Sequence, residues 1–229
     1  MQKGLDTRNE FLRAAEYLFR QKGYDQTSVQ DILDMTHGSK GGFYHHFPSK
    51  DAILQTLCSQ RAEQFKAHAE EMIRNTDSRM TRINQILHEA NPLRKEESSF
   101  IRILLPLLNR ADGLTVRAVY QDTLISSFSD LLQSEILMGT RDGTLYPCSP
   151  DLAVPILCLN NACWTEASQL LSGALQEKVK CTYAMLQQIT VRYRRSIELL
   201  LDAPYGSIEL AYSEDWLELG SALKIPELR

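Results

Sequence analysis

Residues 27–50, TSVQDILDMTHGSKGGFYHHFPSK, decide the fold. Thr27 and Ser28 place hydroxyls where a short helix begins, and Gln30 and Asp31 follow in its first turn. Val29, Ile32 and Leu33 lay an apolar stripe along one side of that helix. Thr36-His37-Gly38 breaks it. Ser39 caps a second short helix, expected over residues 40–46, in which Phe43 and Phe47 lie four apart and turn inward together. Lys40, Gly41, Gly42, Tyr44, His45 and His46 are left for other faces. Two short helices joined by a tight turn have the grammar of a helix-turn-helix. A second helix showing Lys, Gly, Tyr and His suits a DNA major groove.

Working outward, a helix starting at Asp6 or Thr7 should run to about Lys22, with Phe11, Ala14, Ala15, Leu18 and Phe19 on its core face and Gly23 ending it. After Pro48, Ser49 caps a long helix carrying Ile53, Leu54, Leu57 and Phe65. Residues 77–89 put Ile83, Ile86 and Leu87 on one side. Residues 100–108, FIRILLPLL, are apolar almost all round, with Pro106 shortening or kinking the segment. Asp112-Gly113 marks a turn before a long helix over 114–138. Residues 139–150 are rich in turn formers and read as a loop. Ser149-Pro150 then opens a helix that Gly173 stops, with Pro155 inside it. A last long helix is expected over 177–201. In the tail that follows, Ser213 can cap one more short helix containing Trp216 and Leu217.

The run SKGGFYHHFPSK (39–50), preceded by TSVQDIL (27–33), closely resembles the DNA-binding domain of the TetR family of bacterial transcription regulators. A composite signature of this length is far more specific than a short motif. The resemblance covers the first quarter of the chain. It implies an all-α fold: an N-terminal three-helix helix-turn-helix DNA-binding domain (1–50) followed by a helical ligand-binding and dimerisation domain (51–203). A C-terminal tail (204–229) with its short helix goes beyond the minimal family architecture. The chain departs from the family pattern at two positions. Gly is commonest where His37 stands, and an aliphatic residue where Gly38 stands. Histidine enters the left-handed region less readily than glycine, so a shifted or strained turn is expected.

For the reader, Thr27 and Ser28 can offer hydroxyls and free backbone N–H groups to a phosphate at a helix start, and Ser39 caps the reading helix. By resemblance, Tyr44 and His46 match a pair that grips phosphate, and Lys50 matches a phosphate contact at the next helix start. Lys40 is the best donor for a guanine edge. Gly41 and Gly42 would let the helix backbone approach the groove closely. His45 reads either as a DNA contact or as a solvated side chain.

Composition narrows the classes. A hydrophobic fraction of 43% and a charged fraction of 24% are those of an ordinary globular protein. The formal net charge of -4 argues against a broadly basic nucleic-acid coat, so placement rather than bulk charge must attract phosphate. No signal peptide is visible after Lys3. Asn160, Asn161, Thr165 and Glu166 interrupt the longest apolar stretch, 152–171, so no membrane span is expected. Cys58, Cys148, Cys158, Cys163 and Cys181 form no C-x-x-C pair and no zinc spacing. Free thiols in a cytoplasmic protein are the simplest reading. Cys158 and Cys163 read as structural thiols, with oxidant sensing as the alternative. No catalytic constellation, cofactor or metal site is expected.

On the ligand side, Phe65, Met72, Ile83, Leu87, Phe100, Leu104, Tyr120, Leu124, Phe128 and Trp164 are the candidate wall of an effector cavity. His68, His88, Asn91 and Glu166 are possible polar anchors. For each of these four a solvent-facing or structurally satisfied role is the preferred reading. The last two long helices resemble the pair that forms a dimeric four-helix bundle in the family. Their apolar residues Leu152, Ile156, Leu159, Cys163, Ala167, Leu170, Tyr183, Leu186, Ile189, Tyr193, Ile197 and Leu200 are the candidate homodimer interface, in preference to closing the monomer's own core. The resemblance implies a small-molecule-responsive repressor of a palindromic double-stranded DNA operator. Its half-sites would be spaced by ~34–36 Å or multiples of it. The alternative is a regulator that keeps the fold and acts through a protein partner.

Overall fold

Side-chain caps set most of the helix borders. The computed structural model describes residues 2–91, 93, 103, 105, 114–225 and 228. Its helices are α1 (Gln2–Lys22), α2 (Val29–Thr36), α3 (Lys40–His46), α4 (Lys50–Arg74), α5 (Arg79–Glu89), α6 (Leu114–Asp142), α7 (Ala153–Leu175), α8 (Tyr183–Leu201) and α9 (Ser213–Leu223). The all-α expectation holds among the described residues. Ser28, Ser39, Ser49, Ser78 and Thr182 each accept a hydrogen bond from a first-turn backbone N–H, which fixes the starts of α2, α3, α4, α5 and α8.

Four helices differ from expectation in their borders. The first helix starts at Gln2, ahead of Asp6, because nothing in QKGL stops it. α6 runs on to Asp142, since Gly139 is buried inside the helix against Leu145. α7 starts at Ala153 and keeps Gly173 inside it, where Val179 packs on the missing side chain. Pro155 falls in the first turn, where its absent N–H is harmless. The last long helix begins at Tyr183, because Thr182 supplies the cap that residue 177 does not.

The helices α1–α3 close on Phe11, Phe19, Phe43 and Phe47, and all four rings are buried. Helix α4 then runs unbroken from this small core into the larger one. There it packs on α5 and α6, while α7 packs between α6 and α8. At the near end Glu16 of α1 accepts from Arg20 at 2.6 Å and from Arg61 of α4 at 2.5 Å. Of the apolar run 100–108, Ile103 and Leu105 are described, and both are helical and buried. Phe100, Leu104 and the Asp112-Gly113 turn lie outside the described residues.

The tail packs on its own chain. Asn84 of α5 grips it twice, donating to the Ser207 carbonyl at 2.8 Å and accepting from Glu209 N–H at 3.1 Å. Fully buried Glu198 of α8 accepts from Gly206 N–H at 2.7 Å. His88 Nε2 lies 3.2 Å from the Asp215 carboxylate. Trp216 packs against Trp164 of α7 with ring centroids 5.2 Å apart and the planes tilted by 43°, and both are buried. Among the described residues no helix is long and apolar enough to cross a membrane.

Candidate nucleic-acid interface

Helix α2 is fixed by a reciprocal cap. The Ser28 hydroxyl accepts from Asp31 N–H at 3.1 Å, and the Asp31 carboxylate accepts from Ser28 N–H at 2.6 Å. Lys22 joins Asp31 at 2.8 Å. Lys22 first, and then the bonds from Ser28, hold the Asp31 carboxyl far below the usual carboxylate range. The turn to α3 then passes through His37, which adopts the left-handed conformation at φ 52° and donates its N–H to Leu33. Histidine is among the residues that enter this region more readily than most, so the turn keeps its usual form without glycine.

Gly38 explains the second departure. A Cβ there would stand 2.6 Å from the Phe11 ring, well inside contact distance. Phe11 fills the space beside Gly38, and its edge meets Phe43 with ring centroids 5.4 Å apart. With both departures in place, α2 and α3 still form a helix-turn-helix.

Helix α3 buries Phe43 and shows its other side. Tyr44 is 55% exposed, and Lys40, Gly41 and His45 are exposed as well. Lys40, Tyr44 and His45 make no hydrogen bond or ion pair among the described residues. His46 is half-buried, with Phe11 at 6.3 Å and His45 at 5.0 Å. A Cβ on Gly41 would meet nothing within 4 Å, whereas one on Gly42 would meet the Ser39 hydroxyl at 3.2 Å. Ser39 itself is occupied in capping α3, accepting from Gly42 N–H at 3.0 Å.

Three expected contacts sit differently. Thr27 is buried, and its hydroxyl donates to the Gly23 carbonyl at 2.8 Å, so it offers no free hydroxyl to a phosphate. The Ser28 hydroxyl is shared with Asp31. Lys50 donates to the carbonyls of Tyr24 and Thr27, each at 2.8 Å, and lies 4.1 Å above the Tyr24 ring. Burial lowers its pKa below the ordinary lysine value. The Tyr24 hydroxyl donates to Asp51, and burial first, then Asp51, raises its pKa. Lys50 therefore clasps the α1–α2 turn to the start of α4.

Sequence reading also missed a groove of about 610 Å³ beside α3, lined by Arg8, His46, Gln55 and Thr56 among others. Arg8 reaches it by lying over the Phe47 ring at 5.0 Å. Its one signal in sequence was a position one turn before Phe11.

Beyond α3, Phe65, Ile83, Leu87, Tyr120, Leu124, Phe128 and Trp164 are all buried, and Met72 is partly so. Among the possible anchors, His68 is exposed and pairs with buried Glu89 at 3.1 Å, and Asn91 is buried and accepts from Leu93 N–H at 2.7 Å. Glu166 pairs with Arg192 at 2.6 Å. The interface expectation needs correcting. Leu152, Ile156, Cys163, Ala167, Leu186, Ile189 and Ile197 are buried within the single chain, so they close its own core. Leu159, Leu170, Tyr183, Tyr193 and Leu200 stay partly open. The exposed face of these helices is the neighbouring one, with Val154, Cys158, Met185, Val191, Arg192 and Leu199. Cys163 is buried and its thiol is pushed up to about 12 by burial. That makes it a packing residue, whereas Cys158 is exposed. Among the described residues no group of His, Cys, Asp and Glu could hold a metal ion.

Residues 11–57 match the family described as "Bacterial regulatory proteins, tetR family". The chain is 50% identical over 46 residues to the HTH-type transcriptional regulator YuxN of Bacillus subtilis, covering 20% of this chain and 16% of that protein. It is 33% identical over 87 residues to the HTH-type transcriptional regulator UidR of Escherichia coli, covering 37% of this chain and 44% of that one. The chain thus spans less than half the length of either relative. In fold it is similar to Thermus thermophilus FadR, a TetR-family transcriptional repressor solved in complex with lauroyl-CoA. That likeness has a TM-score of 0.62 at 19% identity, over 87% of this chain and 100% of that one.

Proposed function

We propose that this chain, whose N-terminal domain belongs to the TetR family of bacterial regulatory proteins, is a transcription regulator that reads duplex DNA with α3 and releases it on binding a small molecule. The observation that carries the reading is α3 itself. Its core side is locked by Phe43, while Lys40, Tyr44 and His45 stand exposed with their polar atoms unused. In a fold that consumes polar side chains in caps and ion pairs elsewhere, a cation, a phenol and an imidazole left free on one short helix suit phosphate and base edges.

On this reading Tyr44 and His46 grip phosphate, Lys40 donates to a base edge, and Gly41 lets the helix backbone come close. Lys50 reaches phosphate only by loosening its clasp on Tyr24 and Thr27, so its first role is positioning. The proposed domains are 1–50 for reading, 51–203 for ligand binding and pairing, and 204–229 as the tail. The protein acts as a homodimer on a palindrome, and the open face of α7 and α8 carries the pairing. FadR was solved with an acyl-CoA, which supports a small-molecule effector for this fold without naming the one used here. Effector binding acts by population shift, favouring the conformer whose two readers are mis-spaced.

The test is a footprint of the full-length protein on DNA around its own gene, followed by anisotropy titrations on the protected site. Protection of a palindrome, with Lys40→Ala weakening binding by roughly ten- to a hundredfold and relaxing sequence preference, is expected. Binding that ignores Lys40→Ala and Tyr44→Ala alike would remove α3 from the interface.

A further inference from the structure

The tail also builds a cleft. Between its stretch 208–212 and the flank of α8 lies a partly enclosed groove of about 230 Å³. Tyr183, Gln187, Thr190 and Arg194 follow one another along α8 at helical spacing on one side, and Tyr212 and Trp216 close the other. Ligand pockets run to roughly 300–1,000 Å³, so this one suits a one-ring molecule and no long chain.

Arg194 is the group that asks for a ligand. Its side chain is only 23% exposed, and its Nε is buried with no hydrogen-bond partner. That Nε forms an ion pair with Glu198 Oε1 at 3.5 Å, longer than a good hydrogen bond, so the donors left over are the terminal nitrogens. That carboxylate is already engaged by Gly206 N–H at 2.7 Å and by Arg195 at 3.3 Å. The guanidinium carbon lies 5.3 Å from the centre of the Tyr205 ring. Among the described residues its terminal nitrogens make no hydrogen bond. Glu209, also on the lining, is occupied by the Tyr212 hydroxyl, whose pKa burial and then Glu209 raise.

A half-buried guanidinium whose two terminal nitrogens are unused calls for a planar anion that can take two parallel N–H bonds from them. The aromatic walls call for a flat ring between them. We propose that this groove binds a small aromatic carboxylate, with its carboxylate on Arg194 and its ring against Trp216 and the flanking tyrosines. The site depends on the tail and α8 alone. It lies apart from the reader and from the core that α4 shares with α5 and α6, and it does not rest on the DNA reading.

The chain holds two tryptophans, Trp164 and Trp216, in ring contact with each other, so its indole emission reports on this wall. The experiment is a fluorescence titration of the full-length protein with benzoate, repeated with benzyl alcohol as the uncharged analogue. A saturable change with benzoate, at a dissociation constant of about a millimolar or tighter, is expected, and none with benzyl alcohol. Arg194→Gln should weaken benzoate about tenfold or more. Because Arg194 also neighbours buried Glu198, Gln187→Glu provides the second arm. It adds a like charge at an exposed position on the groove and should weaken benzoate by a similar factor while leaving the melting temperature in place. No saturable change with benzoate, equal affinity in Gln187→Glu, or equal binding of benzyl alcohol would each overturn the proposal.

Discussion

The reading helix and the tail clasp treat polar side chains in opposite ways. At the tail, Asn84, His88, Asp215 and Glu198 are all spent on backbone groups or on each other, and two tryptophans seal the contact. At α3, the capping serine and the inward phenylalanine are spent, while Lys40, Tyr44 and His45 are left unpaired in solvent. A polar group that the fold consumes is there to hold the fold. A polar group on a rigid element that the fold leaves free is available to a partner. By the same measure Lys50 changes sides, because its ammonium is spent on two carbonyls.

The largest effect that would test this contrast falls at the tail. Trp216→Ala removes a buried ring from Trp164 and should cost about 3–5 kcal/mol if the tail unfolds with the body. That corresponds to a fall in melting temperature of roughly 10 °C for a chain of this size. A smaller loss with a red-shifted Trp164 emission would mean that the tail detaches by itself. Leu217→Ala, at a neighbouring exposed position, should change neither readout.

Next in size is the pair Gly38 and Phe11. Gly38→Ala drives a methyl to 2.6 Å from a buried ring and should destabilise by about 1–3 kcal/mol. Phe11→Leu in the same chain should recover part of that loss, because the smaller side chain yields the space. Additive losses in a double-mutant cycle by chemical denaturation would show that the two positions do not share one space.

This pair also marks what was legible in the sequence. The caps at Ser28, Ser39 and Ser49, the two inward phenylalanines and the existence of the turn follow from local rules, and the structure keeps them. The expected cap Ser213 is instead the first helical residue of α9, behind Tyr212, and Ser149 lies ahead of Leu152, the residue before α7. The close fit between Gly38 and Phe11 is not local, since it joins residues 27 positions apart and shows only once both are placed. The same limit governs the helices beyond α3. Helical spacing finds an apolar stripe on α7 and α8, but the stripe belongs to whichever surface covers it, and here most of it is the chain's own core. The role of Lys50 was hidden for a related reason. Its number places it at a helix start, and only the fold brings the carbonyls of Tyr24 and Thr27 beneath it.

Lys50 and Tyr44 should therefore separate when each is changed to Ala. Lys50→Ala leaves two carbonyls without their charged donor and should lower stability by about 1–2 kcal/mol. Tyr44→Ala, at an exposed position, should leave the melting temperature within error and act on DNA affinity alone. Loss of DNA affinity in Lys50→Ala with no loss of stability would return that lysine to the side of the free groups.

The finest probe is Gly41→Ala, because it should move two quantities in opposite directions. Glycine inside a helix is about 1 kcal/mol less favourable than alanine, and at residue 41 the added methyl meets nothing within 4 Å. The fold has no use for glycine there, so the substitution should stabilise the protein by up to that amount. If α3 presses its backbone against a groove, the same methyl stands between protein and DNA, and affinity should fall while stability rises. Gly42→Ala is the control inside the helix, since its methyl meets the Ser39 hydroxyl at 3.2 Å and the stability gain should shrink or vanish. A more stable Gly41→Ala protein that binds its site as tightly as before would mean that α3 does not approach DNA by its backbone at residue 41. The weight of recognition would then rest on the side chains of Lys40 and Tyr44.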